Sequence, residues 1–356
     1  MLAMQGGIDR LHKYTESASN QLMPGRKLVS ATGLLFASMA MAQETGVFPL
    51  THTDTHALQQ IANAIRSIAD PQEISVDEAK QSISVYGTAE QVGLAEWLCA
   101  ELDKLPGPAA AAARHDYPAA LGGGDRVRVS YLAHVPTPVA LQEMLNLTRA
   151  IADIQRASGY PQLNAIVIRA TPERAAAANW VMDELDRASG PESQVFHEYT
   201  VKFDRRANIA KVLFLANART PPAIQELVNA TRSISDLQRV FPYHSLRALA
   251  LRGPAEDVAL AEWVIKQLDQ PAPQGPDTEA HEYQLPRTVS PDGGVARVFY
   301  LSTSLTAQGL QDVAYAVRSA ANIQRAYPVH QVNAITVRGS NDQVARAEQI
   351  IKQHDR

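Results

Sequence analysis

The sequence predicts an α+β protein built from four tandem copies of a small β-α-β-β-α unit. Two observations lead there. One helix is written four times: Ala95-Glu96-Trp97 to Leu102-Asp103 returns as Ala178-Asn179-Trp180 to Leu185-Asp186 and as Ala261-Glu262-Trp263 to Leu268-Asp269. A looser copy runs from Ala347-Glu348-Gln349 to His354-Asp355. The three tryptophans are 83 residues apart, which fits a copied small domain and not a solenoid turn of about 20–50 residues. The second observation is that each echoed helix follows an alternation of strand-like and helix-like runs.

The third copy shows that alternation most clearly. Lys211-Val212-Leu213-Phe214-Leu215 reads as a strand by its β-branched and aromatic content. Thr220-Pro221-Pro222 suits a helix start. In 224–235 the residues Ile224, Leu227, Val228, Thr231 and Ile234 fall on one helical face. A second strand is expected over 237–241, ended with the help of Pro242. A third, Ala248 through Arg252, is stopped by Gly253-Pro254, and a helix covers 255–268. Two helices over one face of a three-stranded sheet make a two-layer domain.

The other copies follow suit. Capping-box spacing marks helix starts at Thr88 with Gln91 and at Ser340 with Gln343. Thr171-Pro172-Glu173 orders a cap, a first-turn proline and an early acid. The expected boundaries are 43–106 for a degenerate first repeat, 126–187, 211–269 and 296–356. Linkers fill 107–125, 188–210 and 270–295, rich in Pro, Gly and Ala. Each linker carries an echo: His115-Asp116-Tyr117, His197-Glu198-Tyr199 and His281-Glu282-Tyr283. These are expected to form an added edge strand beside the first strand of the next copy. In the first copy the opening strand is expected at Val47-Phe48-Pro49-Leu50, and Pro71 interrupts its middle.

Composition bounds the function. The chain has 356 residues, 46% of them hydrophobic and 20% charged, enough for several packed domains. Arg26-Lys27 precedes an apolar run over 28–42 that ends Ala40-Met41-Ala42, the pattern of a signal peptide cleaved after Ala42. Export to the periplasm or beyond is the expectation, with Met23 the more natural start. At about 15 residues the run is short for a membrane span. Residues 1–42 hold four Lys/Arg and two Asp/Glu, so the remainder carries 29 against 35, net −6. That balance speaks against nucleic acid as a partner. Cys99 is the one cysteine and shares a slot with Met182, Ile265 and Ile351, so it reads as a core residue.

No phosphate loop, nucleophile elbow or paired-carboxylate motif is present, and Gly122-Gly123-Gly124-Asp125 lacks the Lys-Ser/Thr of a P-loop. His52 and His56 are four apart but have no third nearby ligand, so no metal site is expected. No cofactor, catalytic residue or enzyme activity is expected.

Asn164-Ala165-Ile166-Val167-Ile168-Arg169-Ala170-Thr171 and Asn333-Ala334-Ile335-Thr336-Val337-Arg338-Gly339-Ser340, each followed by the helix described above, resemble the N-domain repeat of bacterial secretins and the related NolW-like and short secretin/TonB N-terminal domains. The resemblance covers nearly all of 46–356. It implies a β-α-β-β-α fold related to KH domains, a periplasmic setting, and a tendency to stack into rings or to grip partner proteins. Secretins continue into a long β-rich pore domain, whereas here the chain stops at Arg356 and shows no alternating barrel strands. A role as the channel itself is therefore not expected. The KH Gly-x-x-Gly loop is missing, in keeping with the acidic charge.

Two constellations are candidates for contact. Arg66, Arg149, Arg232 and Arg318 recur in the first helix, followed four residues later by Asp70, Asp153, Asp236 and Asn322. They are read either as a solvated face with weak i,i+4 pairs or as a ladder facing an acidic partner. Arg156, Arg239 and Arg325 recur in the second strand and could extend that strip. Trp97, Trp180 and Trp263 share a slot that becomes Gln349. A slot covered by a following repeat would accept that change, so each tryptophan is expected to pack between copies or against the linker after it. The alternative is a half-exposed surface tryptophan. The expectation as a whole is a non-enzymatic interaction or scaffold protein of the bacterial envelope, binding envelope proteins or itself as a ring or filament. The competing expectation is a ligand-binding protein that uses grooves between repeats for a glycan or peptide.

Overall fold

The structure, a computed structural model, describes residues 43–355 except 108–112, 120, 190–195, 205–207, 272–280, 289, 291–292 and 304. The expected export segment and parts of the linkers lie outside the described residues. The first repeat contains β1 (Gln43–Pro49), α1 (Thr55–Ile68), β2 (Glu73–Asp77), β3 (Ser82–Thr88) and α2 (Ala89–Leu102). The second adds β4 (Arg114–Asp116) before β5 (Arg126–Tyr131), α3 (Pro138–Ala152), β6 (Arg156–Tyr160), β7 (Ala165–Ala170) and α4 (Pro172–Leu185). The third has β8 (Phe196–Thr200), β9 (Asn208–Phe214), α5 (Pro221–Ser235), β10 (Arg239–Tyr243), β11 (Ala248–Pro254) and α6 (Ala255–Leu268). The fourth has β12 (His281–Gln284), β13 (Val295–Tyr300), α7 (Ala307–Ala320), β14 (Arg325–Val329), β15 (Ala334–Gly339) and α8 (Asn341–His354).

Each repeat is a β-α-β-β-α unit with an antiparallel sheet. The first sheet has the order β1-β3-β2, and the others are β4-β5-β7-β6, β8-β9-β11-β10 and β12-β13-β15-β14. The extra strands β4, β8 and β12 come from the three His-acid-Tyr echoes, and each lies antiparallel to the opening strand of the repeat that follows.

Local chemistry explains the boundaries. Thr88 and Ser340 each close a capping box with Gln91 and Gln343. Thr171 stands at the cap of α4 without a side-chain bond, and Pro172 opens the helix. The asparagine of the Asn-Ala-Ile motif takes a left-handed turn before the third strand, with φ of 46° at both Asn164 and Asn333. Two expected stops are passed over. Pro242 lies inside β10, because that strand is at the sheet edge and its missing N–H breaks no ladder bond. β11 also continues through Gly253-Pro254, paired to Ile209 and Asn208 of β9, which itself starts before Lys211.

The repeats are not beads on a string: 42–356 form one compact unit. Val127, Val129, Tyr131, Tyr160, Ala165 and Val167 of the second repeat join the core of the first. Ala210, Val212, Phe214, Tyr243 and Ala250 of the third join that of the second. Ala296, Val298, Val329 and Ala334 of the fourth join that of the third. Each of the last three sheets thus lies with one face on its own helices and the other on the preceding repeat. The third strands record this. β7, β11 and β15 are buried nearly throughout, whereas β3 alternates between buried and half-buried positions. Alternation marks a sheet with one solvated face.

Candidate functional site

The candidate residues of the sequence converge on the joints between repeats. The rings of Trp97 and Tyr117 are 5.5 Å apart, those of Trp180 and Tyr199 5.4 Å, and those of Trp263 and Tyr283 5.6 Å. Each tyrosine belongs to a linker echo, so each tryptophan of one repeat meets the strand that begins the next. All six rings are half-buried. Aromatic pairs of this geometry contribute about 0.5–1.5 kcal/mol beyond their buried area.

The second-strand arginines cross the same joints. Arg156 meets Asp70 at 2.8 Å, Arg239 meets Asp153 at 3.3 Å and Arg325 meets Asp236 at 2.9 Å. Each aspartate follows the first helix of the preceding repeat in the left-handed conformation. The i,i+4 pairing of these aspartates with the helix arginines is therefore replaced by pairing with the next repeat. The left-handed turn carries the carboxylate off the helix face.

The helix arginines point elsewhere. Arg149 and Arg232 donate to the carbonyls of Ala157 and Val240 in their own second strands, and Arg318 donates to Ala326 at 3.1 Å. Arg66 donates to Asn63 Oδ1 at 2.6 Å. All seven candidate arginines are engaged within the chain, so an acidic partner would compete with existing bonds.

A third series carries more burial and was not singled out from the sequence. Arg169, Arg252 and Arg338, the arginines of the third-strand motif, donate across the joints to the carbonyls of Ile68 at 3.3 Å, Ile151 at 2.9 Å and Ile234 at 2.8 Å. Arg252 and Arg338 are buried. Burial pulls the pKa of both guanidinium groups down. Burial alone would raise the carboxyl of Asp204, yet its bonds from Arg252 and Asn208 hold it low. The available signal was an arginine that ends an otherwise apolar strand in three copies.

Glutamates and histidines add further crossings. Glu143 accepts from the backbone N–H of His244 at 3.0 Å and meets its ring at 2.7 Å. Glu226 does the same for His330. His115 meets Glu101 at 2.7 Å and His197 meets Glu184 at 2.5 Å.

The aspartate ending every second helix works inside its own repeat. Asp103 accepts from the N–H groups of Thr51 and His52, Asp186 from Ala133 and His134, and Asp355 from Ser302 and Thr303. Asp269 accepts from three: Ala216, Asn217 and Ala218, at 2.7–2.8 Å. The motif thus fixes the loop after the first strand.

Among the described residues, no group of three or more His, Cys, Asp or Glu could hold a metal ion. His52 lies by Asp103 and His56 by Gln60. Cys99 is buried, and burial pushes its thiol up to about 12, far from a reactive thiolate. A groove of about 930 Å³ lies against the sheet of the first repeat, bordered by Thr45, Glu73, Ser75, Ser84 and Tyr86. Another of about 290 Å³ lies at the joint of the second and third repeats, where Asp153 and Asp204 are already paired to Arg239 and Arg252. No helix among the described residues is long and apolar enough to cross a membrane.

No protein-family model matches the chain, and no curated protein matches it. Similar solved structures include a dimeric mutant of the N-terminal domain of the secretin XcpQ from Pseudomonas aeruginosa, at 14% identity and a TM-score of 0.18, over 41% of this chain and 62% of that one. The type II secretion system secretin GspD of E. coli is similar at 12% identity and a TM-score of 0.16, over 65% of this chain and 39% of that one. Aspartate kinase from Synechocystis is similar at 12% identity and a TM-score of 0.17, over 88% of this chain and 54% of that one. The chain thus spans less than two thirds of each. Superpositions this loose carry no argument about family, activity or partners.

Proposed function

We propose that the chain is a non-enzymatic interaction scaffold of the bacterial envelope, exported by its N-terminal segment and accessory to a secretin-type secretion or pilus system. One observation supports this most. The recurrent polar side chains are taken up by bonds within repeats and across their joints, and Asp153, Arg239, Asp204 and Arg252, which line the small groove at the joint of the second and third repeats, are paired to one another, so the conspicuous chemistry of the chain goes into building a surface. That surface offers exposed strand edges, which take partner strands by backbone pairing. The resemblance of the Asn-Ala-Ile motif at Asn164 and Asn333 to secretin N-domain repeats supports the expected class of partner. Immobilised 43–356 mixed with solubilised envelope is expected to retain a secretin or pilus-machine component. Retention of a glycan or free peptide, with no such component, would favour the competing ligand-binding reading.

A further inference from the structure

We propose that the two outer faces of the array, the open sheet of the first repeat and the exposed side of α7 in the fourth, are built against each other, so that copies of this chain do not add end to end. The inference narrows the scaffold reading above and concerns the protein alone, whatever partner it binds.

Every internal joint places the first helix of one repeat against the sheet of the next, and the same slots recur. On the receiving sheet, Arg156, Arg239 and Arg325 stand where the first repeat has Glu73. Arg169, Arg252 and Arg338 stand where it has Tyr86. The buried Tyr160, Tyr243 and Val329 correspond to Asp77, and the buried Ala165 and Val167 to Ser82 and Ser84. The joint histidines His244 and His330 correspond to Glu78.

The giving helix changes in the same sense. Asp70, Asp153 and Asp236 become Asn322. Ile68, Ile151 and Ile234, all buried, become Ala320, which is exposed. Ala64, Leu147 and Ala230, also buried, become Ala316, which is half-buried. Glu143 and Glu226 become Asp312.

Brought together in the geometry of an internal joint, these faces would set Glu78 against Asp312 and Glu73 against Asn322. The backbone carbonyl that an arginine caps elsewhere would meet Tyr86. The apolar layer would be replaced by serines and alanines. Like charge and lost burial exclude the pairing while leaving the internal joints intact. Polar outer faces are what keep a repeat array from growing.

Light scattering after size exclusion tests this on 43–356, over a wide concentration range. The wild-type mass is expected to be free of end-to-end growth. Growth of the wild type that Ala320→Glu abolishes would overturn the proposal. Growth that Ala320→Glu leaves unchanged is side-by-side association, with the end faces unbound as proposed. A chain carrying Glu73→Arg, Glu78→His, Asp77→Tyr, Ser84→Val, Tyr86→Arg, Asp312→Glu and Asn322→Asp is expected at least to double its mass as concentration rises. If far-UV circular dichroism shows that this chain has lost its fold, the exposed pair Glu73→Arg with Glu78→His is used with Asn322→Asp. A folded rebuilt chain that stays at wild-type mass would show that these residues are not what blocks growth.

Discussion

Asp269 accepts three backbone N–H groups from the loop after β9 and is fully buried. Removing such an acceptor leaves buried donors unpaired, and hydrogen bonds to a charged group each contribute about 1.5–3 kcal/mol. Asp269→Ala is therefore expected to lower the unfolding free energy by about 3 kcal/mol or more in urea titration. Asp269→Asn should recover part of that loss. Arg247 makes the opposite case. It stands at φ 50° in the slot that Asn164 and Asn333 occupy elsewhere. Asparagine tolerates this left-handed conformation better than arginine. Arg247→Asn should stabilise the chain by about 0.5–1 kcal/mol, read as a raised melting temperature. Both roles were half legible. The recurrence of Leu-Asp and Asn-Ala-Ile was plain in the sequence, but a recurrence does not say whether a side chain serves packing, turn geometry or a partner.

At the scale of elements, apolar contact supplies the energy of each joint and the polar crossings set its register. Burying a side chain such as Val129 contributes about 1.5–3 kcal/mol, against about 0–1 kcal/mol for an exposed pair such as Arg156 with Asp70. The buried Arg252 lies between these cases. It cannot be removed without stranding the Ile151 carbonyl and Asp204, so Arg252→Gln should cost about 3–5 kcal/mol, whereas Arg156→Gln should cost under 1. The helix-to-strand carboxylates set a pH dependence. Burial alone would raise Glu101, but Lys104, His115 and Tyr131 outweigh it and hold its carboxyl low. Lys211 and Lys266 do the same for Glu262 against its burial. For Glu348, the hydrogen bond from Lys352 is the largest influence, with Arg297 beside it. A carboxyl lowered in the folded state stabilises above its unfolded value, near 4, and loses that contribution as pH falls through the folded one. The urea midpoint should hold between pH 7 and about 5 and drop below about 4. A midpoint that rises on acidification would remove these pairs from the account.

At the scale of the whole molecule, the order of elements and the added strands could be read from periodicity and echo. The continuity of the cores could not. The apolar runs Ala165-Ile166-Val167-Ile168 and Ala248-Leu249-Ala250-Leu251 do carry the sign of a sheet covered on both faces. A buried run does not say what covers it, so the linkers read as spacers and the arginines as a free strip. The departures Glu73, Tyr86, Gln349 and Asn322 were visible as sequence, but their meaning required the joint partners. The central claim is that the repeats share cores across their joints. The three tryptophans lie at those three joints, so their fluorescence reports the joints while far-UV circular dichroism reports the repeats themselves. Both signals followed on one urea titration of 43–356 should change together, because a joint cannot open without exposing the core beneath it. Tryptophan exposure at a clearly lower urea concentration, with the dichroism unchanged, would contradict the account and return the repeats to separate domains on linkers.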